Sequence, residues 1–318
     1  MSRVSGPRAL VLLVISVAWI ACRGARAEEG GILTGTLKTI HDRGTILVGY
    51  REDAVPFSFL NPARQPIGFS LDLCHGIASD VARALNRELL EPDAPAWQTG
   101  VRLAYVPVAA DARLPSVTSG AIDLECGSTT ANAERARTVA FSPVFFLAGT
   151  KLMAPLEATA GKAVASYRDL AGRTVVVGAG TTNAAVMRRL AGTVSPPITV
   201  VEAPGLEAAY GMLVKGEADA FASDDVLLAG LKATHPDGSR FGIVGDYLSF
   251  EPYAIMIRRD DPAFADLVRG SFERMAGEGT LARLYNRWFT HRLPTGETLN
   301  LPMSPQLAEM YRALGQPD

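Results

Sequence analysis

The chain has 318 residues, of which 48 % are hydrophobic and 20 % charged, and its formal net charge is -2. This composition excludes long disordered or collagen-like regions, and the length suggests roughly two domains. Three cysteines and four histidines are too few for a disulfide-rich scaffold or a zinc module, so we expect no cofactor. Since no basic stripe is present, nucleic acid is not expected as a partner.

Residues 1–27 have the pattern of a cleavable secretory signal peptide. Two arginines precede an apolar run at residues 9–21, and Ala25 and Ala27 supply the small residues before a cleavage site. Removing this segment would remove four arginines and no acidic residue, which takes the net charge from -2 to -6. We therefore expect an exported protein. A retained membrane anchor and a lipoprotein anchored through Cys22 are the alternatives.

The first part of the chain alternates predicted strands and helices. The pattern predicts strands at 45–50, 101–108 and 121–125, an amphipathic helix at 70–89, and a short helix at 112–119 that ends at a glycine. This order indicates a mostly parallel sheet covered by helices.

A second unit repeats the alternation. It has predicted strands at 174–177, 198–201 and 218–222 and helices at 183–190, 206–214 and 226–232, followed by a strand at 254–257 and helices at 264–275, 281–289 and beyond residue 302. The residues alone leave two organisations open. The units could be tandem domains with a helical tail, or the second could interrupt the first, with crossings at 142–151 and 247–257.

Polar residues follow the predicted strand at 121–125. Ser128 and Thr130 offer hydroxyl groups there, and Arg135 offers a planar charged group that suits a carboxylate. Ligands of open α/β sheets lie beyond the carboxyl ends of the strands, which favours a binding site. A solvated turn with Arg135 on the surface is the alternative.

Two further segments carry candidate site residues. The turn at 178–182 leads into a helix near Thr182, and helix starts attract anions, although an ordinary glycine turn would look the same. A dinucleotide site is disfavoured because Asn183 replaces the third glycine of that fingerprint. Of the pair Asp224 and Asp225, one could face a cleft and bind an ammonium group, while simple helix capping is the alternative.

The remaining candidates are two arginines and two cysteines. Arg51 and Arg113 lie near strand or helix ends, where a surface position is the alternative. Cys74 and Cys126 could form a disulfide in an oxidising compartment or stay two buried thiols. Because no nucleophile–base–acid arrangement is present, we do not expect an enzyme.

Taken together, the motifs resemble the periplasmic solute-binding proteins, family 3, of amino-acid ABC transporters, and in particular glutamate/aspartate-binding proteins. They are VGYRE and VPFS within residues 48–58, GFS at 68–70, ECGSTT and ER within 125–135, GTT at 180–182, DDVLLAG at 224–230, and EG and WF within 278–289. The likeness extends over nearly all of residues 35–305.

The resemblance implies an α/β, two-lobed periplasmic binding protein fold of type II, with a discontinuous first lobe and two crossing hinge strands. The first lobe would comprise residues 28–145 and 251–318, and the second lobe residues 146–250. It further implies a monomeric periplasmic receptor that binds a small amino acid and docks on ABC permease subunits at the inner membrane.

The resemblance also implies roles for the candidate residues. Arg135, helped by the helix start at Thr182, would bind the ligand α-carboxylate. Asp224 would bind the α-ammonium, with Ser128 and Thr130 completing its hydrogen bonds.

Arg51 and Arg113 would face the ligand side chain, where two cations favour an acidic group. The chain departs from the glutamate/aspartate-binding pattern at Ala110 and Leu206, which replace a serine and a histidine. These changes would weaken acidic-ligand binding or admit an amide or a larger dicarboxylic side chain. We therefore expect an acidic or amide amino acid. The alternative is an exported enzyme on the same scaffold, similar to a cyclohexadienyl dehydratase.

Overall fold

A computed structural model describes residues 33–157 and 163–317, so the predicted signal segment 1–27 lies outside the described residues. In chain order, the helices and strands are α1 (Gly35–Arg43), β1 (Thr45–Tyr50), β2 (Asp53–Ala54), β3 (Ser58–Leu60), β4 (Pro66–Ile67), α2 (Phe69–Ala84), β5 (Leu89–Leu90), β6 (Val101–Pro107), α3 (Arg113–Thr118), β7 (Leu124–Glu125), β8 (Val139–Phe141), β9 (Phe146–Ala148), β10 (Thr150–Pro155), β11 (Thr174–Gly178), α4 (Thr182–Ala191), β12 (Thr199–Ala203), α5 (Leu206–Val214), β13 (Ala220–Asp224), α6 (Asp225–Thr234), β14 (Phe241–Val244), β15 (Glu251–Tyr253), β16 (Met256–Arg258), α7 (Pro262–Gly277), α8 (Thr280–Tyr285) and α9 (Pro305–Ala313). None of the described helices combines the length and apolar character that crossing a bilayer requires.

The larger sheet has the strand order β5-β6-β1-β7-β16-β8. Strands β5, β6, β1 and β7 are parallel, as the alternation of strands and helices predicts. Strand β16 runs antiparallel to both of its neighbours, β7 and the edge strand β8. Helix α2 buries an apolar stripe spaced four residues apart that includes Leu73, Ile77 and Val81. Because β16 comes from near the end of the chain, the larger sheet is discontinuous in sequence.

The smaller sheet repeats this plan with the strand order β12-β11-β13-β10-β14. Strands β12, β11 and β13 are parallel to one another, and β10 runs antiparallel to both of its neighbours, β13 and β14. All of its strands come from one contiguous stretch, residues 150–244, which lies between β8 and β16 in the sequence.

Two short antiparallel strands, β9 and β15, pair with each other where the chain passes between the sheets. Both lie within the predicted crossings at 142–151 and 247–257, which confirms the interrupted organisation over the tandem one. The rings of Phe146 in β9 and Tyr253 in β15 pack edge-on against Phe57, with centroids 4.9 and 5.0 Å apart. An aromatic core therefore supports the crossings.

Some local features differ from the sequence prediction. The helix predicted at 70–89 ends at Ala84, because Asn86 adopts a left-handed conformation with φ 51° and the chain then turns into β5. Helix α1 and the small antiparallel sheet β2-β3-β4 were not predicted.

Cys74 and Cys126 form a disulfide, with Cα atoms 6.3 Å apart. The bond joins helix α2 to the residue that follows β7. The hydroxyl of Ser70 donates to the carbonyl of Gly127 at 2.7 Å and ties down the same turn. The disulfide and this hydrogen bond therefore attach the turn that carries Ser128 and Thr130 to helix α2.

Candidate ligand-binding cleft

The seven predicted site residues line one cavity of about 420 Å³, counting its open mouth, between the two sheets. They are Arg51, Arg113, Ser128, Thr130, Arg135, Thr182 and Asp224. Ala110 and Leu206, the two departures from the glutamate/aspartate-binding pattern, line it as well.

The site residues meet because they follow carboxyl ends of parallel strands in both sheets. Arg51 follows β1, and Ser128 and Thr130 follow β7 on the side of the larger sheet. Thr182 follows β11, and Asp224 ends β13, on the side of the smaller sheet. Ligand sites of open α/β sheets occupy this position.

Arg135 begins a short turn of 3₁₀-helix and is buried. Its Nη1 donates to the carbonyl oxygen of Thr130 at 2.8 Å, and its backbone N–H donates to the side chain of Asn132 at 2.9 Å. Burial lowers the pKa of Arg135. The guanidinium is thus fixed in place, and in the described part of the chain its other N–H groups have no hydrogen-bond partner.

Asp224 is only 4 % exposed and does not cap helix α6 with its side chain. Its Oδ1 accepts a hydrogen bond from the amide of Asn183 at 2.8 Å, and its Oδ2 accepts one from the hydroxyl of Tyr253. Burial, reinforced by the negative charge of Glu251, raises its pKa to about 7. The neighbouring Asp225 bonds instead to the backbone of Gly149, so Asp224 is the acid that faces the cavity.

Glu251 in β15 joins the two sides of the cleft, and the sequence pattern did not reveal it. The hydroxyls of Thr130 and Thr182 both donate to its Oε2 at 2.7 Å. Ser249 donates to its Oε1 at 2.5 Å. Since the two threonine hydrogens point to Glu251, the hydroxyl oxygens stay available to accept a hydrogen bond from a ligand.

Arg51 and Arg113 also line the cavity. Arg51 donates to Asp53 at 2.7 Å. Arg113 is 3 % exposed and donates from Nε to the carbonyl of Ala110 at 2.9 Å and from Nη1 to the hydroxyl of Thr129 at 2.5 Å. Burial lowers the pKa of Arg113 to about 10, which leaves it positively charged at neutral pH.

Glu125 is a buried carboxylate whose charge acts on Arg113 and Arg135. It is 1 % exposed, and neither oxygen has a hydrogen-bond partner within the described ranges. Its negative charge raises the pKa of Arg113 and of Arg135, which partly offsets the effect of burial on each. Its place at the end of β7 was visible in the sequence, but its charge-balancing position was not.

The arrangement has the chemistry of a zwitterion-binding site. Arg135 on one side and Asp224 on the other present opposite charges to the same cavity. Residues 33–157 and 163–317 contain no cluster of histidine, cysteine, aspartate and glutamate that could hold a metal ion.

Comparisons with known proteins show the family of the chain. The model of the bacterial extracellular solute-binding proteins, family 3, matches residues 46–291. The chain is 36 % identical over 301 residues to an L-glutamate/L-aspartate-binding protein of Pseudomonas aeruginosa, covering 93 % of this chain and 94 % of that relative. It is 31 % identical over 291 residues to a glutamate/aspartate import solute-binding protein of Salmonella typhimurium, covering 91 % of each.

A solved structure is similar over most of the fold. It is an ancestral amino acid-binding protein that is a precursor of cyclohexadienyl dehydratase, and it matches with a TM-score of 0.66 and 27 % identity. The match covers 80 % of this chain and all of that one. The described residues therefore have the two-lobed fold with a discontinuous first lobe that the sequence motifs predict.

Proposed function

Because this chain belongs to the bacterial extracellular solute-binding proteins of family 3, we propose that it is the substrate-binding receptor of an ABC importer for an acidic or amide amino acid. The observation that carries the proposal is that Arg135 and Asp224 line the same cavity from opposite sides. The names of the Pseudomonas and Salmonella relatives specify glutamate and aspartate and so support the acidic part of this ligand class.

The α-carboxylate binds Arg135 through two parallel hydrogen bonds, because the planar guanidinium matches a carboxylate. The start of helix α4 at Thr182 adds a favourable dipole for the same anion. The α-ammonium binds Asp224 and donates to the hydroxyls of Ser128 and Thr130. Each charged group of the ligand thus exchanges its hydrating water for hydrogen bonds with protein groups of opposite charge.

The ligand side chain lies toward Arg51 and Arg113. Guanidinium groups only donate hydrogen bonds, so they pair with a carboxylate or with the carbonyl oxygen of an amide and exclude a cationic side chain. Ala110 and Leu206 add no donor at this end. The site therefore accepts both acidic and amide amino acids.

Binding closes the cleft by a hinge motion at the crossings formed by β9 and β15. We place the first lobe at residues 28–145 and 251–318 and the second at 146–250. The receptor is a monomer that acts in the periplasm after removal of residues 1–27. Its closed form delivers the ligand to permease subunits of the transporter at the inner membrane.

The rival function is an exported enzyme on the same scaffold, which the ancestral precursor of cyclohexadienyl dehydratase makes relevant. Such an enzyme needs a general acid or base free to act in the cleft. Here Asp224 and Glu251 are engaged with neighbouring hydroxyl and amide groups. Turnover of a prephenate-like compound would favour the enzyme over the receptor.

Calorimetry on protein freed of bound ligand tests the receptor function. We expect saturable binding of at least one of glutamate, aspartate, glutamine and asparagine, and none of lysine or arginine. Arg135→Ala should weaken binding by at least about 2–3 kcal/mol, because the buried carboxylate loses its charged partner. The exposed Arg137 is the matched control, and Arg137→Ala should leave the affinity unchanged. Absence of binding by all four amino acids would reject the proposal.

A further inference from the structure

Asp53 connects the ligand side-chain end of the cleft to the opposite lobe. Its Oδ1 accepts a hydrogen bond from Nη2 of Arg51 at 2.7 Å. Its Oδ2 accepts one from the backbone N–H of Leu206, the first residue of helix α5, at 2.9 Å. A single carboxylate from the side of the larger sheet therefore holds an arginine of the cavity and caps a helix of the smaller-sheet side.

The residue before helix α5 supports this assignment independently. Gly205 occupies the cap position but provides no side-chain cap, and its φ of -174° is one that any residue adopts. A Cβ atom at Gly205 would lie 2.8 Å from Oδ2 of Asp53. The glycine thus leaves room for a carboxylate that arrives from across the cleft, where the helix dipole favours a negative charge.

We propose that Asp53 is a specificity-determining residue, whose negative charge beside Arg51 reduces the preference of the cleft for a carboxylate side chain over an amide side chain. This inference rests on the proposed receptor function. The contacts with the α-amino and α-carboxylate groups do not distinguish an acidic ligand from an amide ligand. The inference assigns that distinction to Asp53.

The physical reason is the balance of charge at this end of the cavity. A ligand carboxylate that binds Arg51 shares its guanidinium group with Asp53, so repulsion by Asp53 offsets part of the attraction to Arg51. An amide carbonyl accepts the same hydrogen bond but carries no net charge to be repelled. Arg113 has Glu125 nearby, so neither distal arginine acts as an uncompensated cation.

The test compares glutamate with glutamine on wild-type protein and on Asp53→Asn by calorimetry. We expect Asp53→Asn to raise the ratio of glutamate affinity to glutamine affinity by about tenfold or more. Asparagine at this position keeps an amide oxygen that can accept from the N–H of Leu206, and any weakening common to both ligands cancels in the ratio. Glu52→Gln is the matched control. Glu52 is exposed and its 3.6 Å ion pair with Arg64 is also exposed, so the ratio should stay within about twofold.

Asp53→Ala provides a second variant, since alanine removes the charge together with both acceptor oxygens, and it should show the same shift in the ratio. If the wild type binds both ligands and the ratio does not rise in either variant, the inference is overturned while the receptor function stands. If the wild type binds none of the four acidic and amide amino acids, the receptor function itself is overturned.

Discussion

Asp224 holds a buried carboxylate without a cation in ion-pair contact among the described residues. Burial and the nearby charge of Glu251 raise its pKa from an ordinary value of 3.8 to about 7. The folded protein therefore binds a proton there more tightly than the unfolded chain does. As the pH rises from about 4 to 7, this group makes folding progressively less favourable. A ligand ammonium relieves that cost, which couples binding to the charge of Asp224.

Ligand affinity should consequently depend on pH. The ammonium group binds the ionised carboxylate, so below pH 7 a proton must leave Asp224 before the ligand binds. We expect the affinity to fall by up to about tenfold for each pH unit below 7. Calorimetry between pH 5 and pH 8 measures the slope, and Asp224→Asn should give weak binding with little slope. A wild-type affinity that is constant over this range would contradict the role of Asp224.

The charge of Asp224 should also lower the stability of the unliganded protein. Asp224→Asn removes the buried charge while its side chain keeps hydrogen-bonding partners in Asn183 and Tyr253. We expect the free energy of unfolding of the unliganded protein to rise by about 1–3 kcal/mol at pH 8 and not to rise at pH 4. Denaturant titrations at the two pH values check this. The exposed Asp246 is the control, and Asp246→Asn should change neither value.

Among the elements, helix α2 and the turn after β7 depend on each other through the disulfide. Cys74 and Cys126 are 52 residues apart in sequence, so the bond restricts a long loop in the unfolded chain. Replacing both by serine should lower the free energy of unfolding by about 4 kcal/mol on the loop-entropy model. Denaturant titration measures the loss. Dithiothreitol should destabilise the wild type similarly and leave the double variant unaffected; equal stability of all forms would show that the bond contributes nothing.

Sequence patterns predicted the elements whose residues repeat regularly. The β-branched run at 174–177 and the apolar spacing at 206–214 predicted a strand and a helix, and the structure has them at Thr174–Gly178 and Leu206–Val214. Strand β9 was missed as a separate strand because three residues are too few to show a period of two. The helix α2 boundary was overestimated because apolar spacing continues past Asn86, while the conformation of that residue ends the helix.

The cavity was predictable to the extent that its residues follow strand ends. Arg135 and Asp224 could be singled out because charged residues follow predicted strands, and the structure brings them to one cavity. Glu251 and Tyr253 could not, because they lie in a three-residue strand whose partner β9 is distant in sequence. Their contacts with Thr182 and Asp224 depend on tertiary structure that no local pattern encodes.

At the scale of the whole molecule, the two sides of the cleft meet through glycine residues. A Cβ atom at Gly230 in helix α6 would lie 2.4 Å from the carbonyl oxygen of Val55 across the cleft. A Cβ atom at Gly180 would lie 2.7 Å from the Cα of Asp111. The lobes can therefore approach this closely only because these side chains are absent.

Gly230→Ala should hinder closure without harming the lobe that carries it. Alanine is the better helix former by about 1 kcal/mol, so helix α6 itself should not weaken. We expect ligand affinity to fall by about tenfold or more and the ligand-induced decrease in radius of gyration, measured by X-ray scattering, to be reduced. Gly211 in helix α5 is the matched control, since an added Cβ there meets nothing within 4 Å. Normal closure of Gly230→Ala would contradict this account.

The discontinuity of the larger sheet has a consequence for how the protein is made. A growing chain emerges from the ribosome with its N-terminal part first, and the smaller sheet can assemble from residues 150–244 as soon as they have emerged. The larger sheet has to wait for β16, because that strand lies between β7 and β8. The side of the cleft formed by the larger sheet is therefore incomplete until Met256–Arg258 has been synthesised. A partly synthesised molecule therefore cannot sequester a ligand, and binding begins only once β16 has joined the larger sheet.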